Sequence, residues 1–89
     1  PLAERRAPDH RLRDVAGMVR SFGYAAAVGG KSREWEKWGV EKLLAGYGVG
    51  MDPILAAYVA DKAAYEVVYE ANNRPDWVRI PLEAIAAVL

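Results

Sequence analysis

Charged and aromatic residues alternate over residues 61–70, and this stretch carries the side chains best suited to chemistry. If the stretch is helical, its spacing places Lys62, Tyr65 and Tyr69 on one side of the helix, with Glu66 beside Lys62 as its i+4 neighbour. We call Lys62, Tyr65 and Tyr69 the tyrosine stripe. Its phenols and ammonium, with the Glu66 carboxylate, form a mixture that binds a polyhydroxylated ligand such as a sugar. The alternative interpretation is a solvated helix face.

Other reactive side chains are few. The chain has no cysteine and a single histidine, His10, so neither thiol chemistry nor a metal site is expected. Ser21 and Ser32 lack a neighbouring histidine with an acid, and nucleophilic catalysis is not expected. The glycines at 46–50 lack the Lys-Ser/Thr ending of a phosphate loop and predict a turn. Asp14 has two interpretations, as a partner for the helix dipole or as an orienting carboxylate at a site.

Length and charge limit the classes of function. A chain of 89 residues forms one domain at most, and its 12 basic and 12 acidic residues cancel, so neither nucleic acid nor an anionic membrane is an expected partner. No apolar run reaches the ~18 residues of a membrane span, and the polar start does not resemble a signal peptide. The cytoplasm is the expected location, and the start without methionine predicts a fragment of a larger protein.

Helix signals predict an all-α chain of about four helices that position the stripe. Ser32 and the pair Asp52-Pro53 are expected to begin helices, and Gly29-Gly30 is expected to end one. Arg74-Pro75 is expected to end the third helix, since proline disfavours a helical residue before it, and Trp77 to Ile80 is predicted as a short extended piece. The predicted elements are a loop over 1–9 and helices over about 10–28, 33–47, 53–73 and 81–89.

The apolar pattern predicts which side of each helix is buried. In the first helix, these positions are Leu12, Val15, Ala16, Val19, Phe22 and Ala26. Other positions there carry charges, including Arg20. In the third helix, the predicted apolar side is Ile54, Ala57, Asp61, Ala64, Val67, Val68 and Ala71. The second helix has two apolar sides, one with Trp35 and Trp38 and another with Leu43 and Leu44, so it is either wedged between neighbours or partly exposed.

Two stretches of this sequence resemble the C-terminal part of actinobacterial maltokinases. They cover residues 14–26 and 61–70, and continue in Asn73–Trp77 and Ile80–Leu82. The same pattern is typical of related sugar kinases of the aminoglycoside-phosphotransferase-like superfamily, including glucosamine kinases. Residues 1–6 resemble the segment that follows the metal-binding acidic motif of these enzymes. The similarity is weakest over 29–51, and Gly23 stands where the family usually has aspartate.

The resemblance implies that residues 1–89 are a single helical subdomain, corresponding to the C-lobe region of a kinase-like fold. It implies that Lys62, Tyr65 and Tyr69 bind the acceptor sugar, with Glu66 supporting Lys62. The catalytic aspartate and the ligands of ATP and magnesium would belong to segments before Pro1. No catalytic or metal-binding residue is therefore expected in this chain, which alone would bind neither cofactor and would be inactive.

Three functions follow from these observations. The first is an acceptor-sugar-binding subdomain of a maltokinase, whose parent enzyme would transfer the ATP γ-phosphate to maltose. The product, maltose 1-phosphate, would serve α-glucan (glycogen) synthesis. The second is the C-lobe of a kinase for glucosamine or another sugar. The third is a non-catalytic helical module that docks the missing kinase lobes, trehalose synthase or a second copy through its apolar second helix.

Overall fold

Four α-helices and one 3-10 turn make up residues 2–88, the part of the chain that the computed structural model describes. Side-chain environments are described for residues 11–87. The elements are α1 (Leu2–Val28), α2 (Arg33–Tyr47), α3 (Pro53–Asn73), the 3-10 turn Pro75–Trp77 and α4 (Arg79–Val88). Residues 2–88 contain no strand, which confirms the predicted all-α class with four helices.

The boundaries of α2 and the start of α3 follow the predicted local signals. The hydroxyl of Ser32 accepts a hydrogen bond from the backbone N–H of Trp35 at 3.1 Å. The carboxylate of Asp52 accepts one from the N–H of Leu55 at 2.9 Å. Each bond satisfies a donor that the first helical turn leaves without a partner. Gly48 ends α2 at a φ of 71°, a left-handed conformation in which a side chain would be strained.

The N-terminal boundary differs from the prediction, because α1 begins at Leu2 and includes most of the predicted loop over residues 1–9. The predicted loop rested on Pro8, which removes one backbone N–H and disfavours a helix interior. The neighbouring residues, Leu2 to Ala7, are nearly all strong helix formers. Their summed propensity favours a continuous helix over a loop around a single proline.

The predicted extended piece after α3 is also wrong. Residues Pro75–Trp77 form a 3-10 turn, and α4 already begins at Arg79. Pro81 therefore lies in the first turn of α4 rather than at its start. This position suits proline, because the N–H groups of a first turn have no partner within the helix. The first helical bond follows directly, from the N–H of Leu82 to the carbonyl of Val78 at 3.2 Å.

The apolar core lies where α1, α2 and α3 meet. Its buried members are Val15, Ala16, Val19, Leu44, Leu55 and Val59. The predicted buried side of α1 is confirmed at Val15, Ala16, Val19 and Ala26. The predicted side of α3 is wrong, because Ile54 and Val68 are exposed while Leu55, Val59, Ala63 and Glu70 are buried. The helix is rotated so that two glutamates, described below, face α1.

The second helix packs against α1 through aromatic rings. Phe22 stacks on Trp35 with ring centroids 4.8 Å apart. The Phe22 ring also lies so close to the α-carbon of Gly39 that no β-carbon would fit between them. Trp38, in contrast, remains 57% exposed, with Lys42 above its ring. Trp35 and Leu44, one from each predicted apolar side of α2, are thus covered, whereas Trp38 is open to solvent.

Candidate functional site

A cleft of about 790 Å³ lies between α1 and α3, with one wall residue from the end of α2. It opens to solvent and combines carboxylates, cations and hydroxyl groups on its surface. Its lining residues are Arg13, Asp14, Gly17, Met18, Ser21, Tyr24, Tyr47, Lys62 and Glu66. Carboxylates accept hydrogen bonds, cations donate them, and hydroxyls do both. This surface therefore has the donors and acceptors that a ligand with several hydroxyl groups requires.

Polar pairs between α1 and α3 set the position of the cleft walls. Arg20 pairs with Glu66, and one helical turn later Tyr24 pairs with Glu70. Both pairs are separated by 46 residues in sequence, so the partners advance together along the two helices. The helices consequently run in the same general direction at this contact, and α2 returns the chain between them.

Glu66 is held from the buried side of the cleft. Nε of Arg20 donates a hydrogen bond to Oε1 of Glu66 at 2.7 Å, and Arg20 is only 3% exposed. The sequence predicted that Glu66 would support Lys62 across one helical turn. This prediction is wrong, since within the described part of the chain the ion pair of Glu66 is with Arg20. The i+4 spacing permits the Lys62 pair, but the charge of the buried Arg20 guanidinium is screened less by solvent and attracts the carboxylate more strongly.

The conformation of Arg20 depends on the glycine at position 23. A β-carbon at Gly23 would lie 2.8 Å from Nη1 of Arg20 and 3.3 Å from a carboxylate oxygen of Glu36. The missing side chain leaves the space that the guanidinium occupies. At this position, the maltokinase-like pattern usually has aspartate. Any side chain here would displace the Arg20 guanidinium and disturb its bond to Glu66.

Glu70 anchors the second polar pair and is 1% exposed. It accepts a hydrogen bond from the Tyr24 hydroxyl at 2.6 Å and two bonds from Arg74, at 2.8 and 2.9 Å. The Arg74 guanidinium also lies 4.1 Å from the centre of the Trp77 ring. The cluster therefore joins α1, the end of α3 and the 3-10 turn. The two parallel bonds from Arg74 to Glu70 are charge-assisted, and such bidentate pairs are among the strongest contacts of a carboxylate.

The charges in this cluster shift the pKa values of their neighbours. The hydrogen bonds from Arg74 lower the pKa of Glu70 below its ordinary value, although burial acts in the opposite direction. Burial and the hydrogen bond to Glu70 raise the pKa of the Tyr24 hydroxyl. Tyr24 thus faces the cleft as a neutral phenol whose proton is directed to Glu70.

The predicted site residues fall into two groups. Lys62 and Glu66 both line the cleft. Tyr65 and Tyr69 lie outside its lining, on the exposed surface of α3, at 67% and 47% exposure. Nζ of Lys62 lies 5.8 Å from the centre of the Tyr65 ring, which connects the two groups. The tyrosine stripe therefore runs from the cleft at Lys62 onto the neighbouring face of the helix.

Several cleft residues were not predicted as binding residues. Ser21 was considered only as a nucleophile, and Tyr24 and Tyr47 were not considered as site residues at all. Their place in the cleft depends on how α1 packs on α3 and on where α2 ends. Spacing along α1 does offer one signal, because Asp14, Gly17, Ser21 and Tyr24 recur at intervals of three and four residues. These residues form the α1 wall of the cleft, opposite Lys62 and Glu66 on α3.

Two other kinds of site are not found among the described residues. No group of three or more His, Cys, Asp or Glu side chains in that part of the chain is arranged to hold a metal ion. None of the helices, within the residues described, combines the length and apolar character that a membrane span needs.

Comparison with known proteins adds no family assignment to this geometry. No protein-family model matches the chain, and no solved structure matches it significantly. The similarity to maltokinases therefore stays a prediction from the motifs quoted above.

Proposed function

We propose that this chain is the acceptor-sugar-binding subdomain of an ATP-dependent sugar kinase, with maltose as the acceptor. The observation that carries the proposal is that Lys62 and Glu66 line one cleft together with Ser21, Tyr24 and Tyr47. The hydroxyls of Tyr24 and Tyr47 donate to Glu70 and Met18, so they offer a ligand acceptor lone pairs. Donors and acceptors on facing walls suit a ligand that presents hydroxyl groups on several sides. The parent enzyme would convert maltose to maltose 1-phosphate for α-glucan synthesis.

Aromatic surface beside the cleft supports a sugar in particular. Tyr65 and Tyr69 are exposed next to Lys62, with cations 5.8 and 5.7 Å from their ring centres. The flat apolar faces of sugar rings pack on such aromatic side chains, while the phenol hydroxyls bond to the ring substituents. In a disaccharide, one ring would occupy the cleft and the second would contact the tyrosine stripe.

The chain supplies only the acceptor side of the reaction in this proposal. Phosphoryl transfer requires a positioned nucleophile, a metal and a phosphate clamp. The described residues contain no cluster arranged for magnesium, and the glycines at 46–50 lack the residues of a phosphate loop. ATP and magnesium would therefore be bound by segments outside this sequence, and the 89-residue chain alone would not phosphorylate sugars.

An acceptor screen on the longest natural protein that contains this sequence tests the proposal. Phosphorylation of maltose supports it, and phosphorylation of glucosamine in preference to maltose supports the related sugar kinase instead. Lys62→Ala is expected to raise the KM for maltose about tenfold, since a lost charged hydrogen bond costs about 1.5 kcal/mol, and Tyr69→Phe about fivefold, since a neutral one costs about 1 kcal/mol. Both are expected to leave the KM for ATP within about twofold. Lys37→Ala, an exposed lysine of α2 outside the cleft, is the matched control. Equal losses on both substrates would contradict the proposal.

A helical docking module is the second candidate, and exposed Trp38 favours it. Tryptophan is enriched at the centres of protein interfaces, and 57% of Trp38 is accessible here. The partner would be trehalose synthase, the missing kinase lobes or a second copy of the chain. Light scattering and a pull-down with the natural protein and with Trp38→Ala test this function. A monomer that binds none of these partners would exclude it.

A further inference from the structure

From the cleft geometry we infer that Arg20 makes the site selective for neutral sugars over amino sugars, by acting through Glu66. This inference rests on the proposed sugar-binding function and specifies its substrate class. Arg20 does not line the cleft and is a positioning residue. It determines which charges of the cleft remain available to a ligand.

The carboxylate of Glu66 is bound by Arg20. It faces the cleft, yet it is already bound from behind by the Arg20 guanidinium at 2.7 Å. The side chain of Arg20 is 4% exposed and that of Glu66 is 13% exposed, so solvent screens this ion pair poorly. Glu66 therefore adds little negative charge to the cleft, although its free lone pairs still accept hydrogen bonds from a hydroxyl.

Lys62 keeps its positive charge available to a ligand. Because Glu66 is occupied by Arg20, Lys62 forms no ion pair within the described part of the chain. Its ammonium lies at the cleft and contacts the Tyr65 ring. Arg13 adds a second cation, and Asp14 is the one lining carboxylate that has no cation bound to it among the described residues. The available charge of the cleft is therefore positive.

A positive cleft discriminates between two sugars that differ in a single group. Glucose and glucosamine differ at carbon 2, where glucosamine carries an ammonium in place of a hydroxyl. A Lys62 ammonium donates hydrogen bonds to a sugar hydroxyl but repels a second ammonium. At separations of about 5 Å in a solvated cleft, this repulsion changes affinity about fivefold. The natural chain is expected to bind glucose about fivefold more tightly than glucosamine.

Amide chemical shifts of the 89-residue chain, titrated with glucose and with glucosamine at pH 6, measure this ratio directly. Lys62→Gln is expected to bring the ratio close to one, because it removes the uncompensated cation and keeps a hydrogen-bond donor. Lys37→Gln removes the same charge outside the cleft and is expected to keep the fivefold ratio. Arg20→Met is also expected to bring the ratio close to one, since the released Glu66 carboxylate then compensates the charge of Lys62.

The outcomes separate this inference from the function on which it rests. Equal binding of both sugars by the natural chain, or an unchanged ratio in Lys62→Gln, would overturn the inference and leave the sugar-binding proposal standing. Shifts from neither sugar would also overturn it, and the kinase assay on the longer protein would then decide the proposed function. An Arg20→Met variant that folds and keeps the fivefold ratio would overturn the role of Arg20. If Arg20→Met does not fold, the same titration of Arg20→Gln, which removes the charge and keeps hydrogen-bond donors for Glu66, decides that role.

Discussion

The contact between α1 and α3 changes its chemistry along its length. Near the beginning of α3, the two helices meet through Val15 and Leu55, both fully buried and apolar. About three turns further along α3, they meet through the pairs Arg20–Glu66 and Tyr24–Glu70. An apolar contact stabilises the fold but tolerates rearrangement. A buried charge without its partner is costly, so the polar half fixes which residues lie opposite each other and thereby shapes the cleft.

The largest loss of stability is expected from a substitution in the apolar half. Leu55→Ala removes a fully buried side chain and leaves a cavity, which lowers the free energy of unfolding by about 4 kcal/mol. Ile54→Ala is the matched control, because the neighbouring Ile54 is 60% exposed and its loss is expected to cost less than about 0.5 kcal/mol. Urea unfolding of both variants measures the difference. Equal losses would contradict the described orientation of α3.

A smaller loss of stability is expected from a substitution in the polar half, and its size depends on whether the charged partner is also replaced. Glu66→Ala leaves the buried Arg20 guanidinium without its carboxylate and is expected to cost about 3 kcal/mol. Replacing both Arg20 and Glu66 by leucine removes the unpaired charge and is expected to recover most of that stability. The cleft would nevertheless lose the orientation of its wall. A double variant as unstable as Glu66→Ala would show that the pair stabilises the fold outright.

The same division explains what could be predicted from the sequence. The α1 side of the apolar half follows a local pattern, so the periodicity of Val15, Ala16 and Val19 predicts their burial, whereas the burial of Leu55 on α3 was not predicted. The caps at Ser32 and Asp52 depend on residues three positions away and were predicted as well. The fold class follows from such signals alone, since each helix carries its own pattern and boundary residues.

The polar half could not be predicted in this way, because its partners lie 46 residues apart. Glu66 and Glu70 resemble solvent-facing residues when only α3 is considered, and for this reason the predicted apolar side of α3 was wrong. Lys62 and Glu66 were correctly expected on one surface, since helical spacing fixes their directions. The role of Glu66 was missed, because only the packing of α1 on α3 brings Arg20 closer to it than Lys62.

The smallest expected change in the free energy of unfolding comes from protonation of Glu70. It makes the stability of the polar half depend on pH, unlike that of the apolar half. Bonds from Arg74 lower the pKa of Glu70 in the folded protein, so the unfolded chain binds this proton more tightly. The resulting stability is complete above the unfolded pKa of about 4.3 and is lost as the pH falls towards the folded value. Glu70→Gln cannot bind the proton and lacks this loss.

Urea unfolding between pH 6 and pH 3 compares the natural chain with Glu70→Gln. The natural chain is expected to be more stable than the variant at pH 6, and the difference is expected to shrink as the solution is acidified. Leu55→Ala provides the control from the apolar half, because its deficit involves no titrating group and stays constant with pH. A constant difference between Glu70→Gln and the natural chain would mean that Arg74 and Tyr24 bind the protonated carboxyl as well as the carboxylate, and the polar half would then respond to pH no differently from the apolar one.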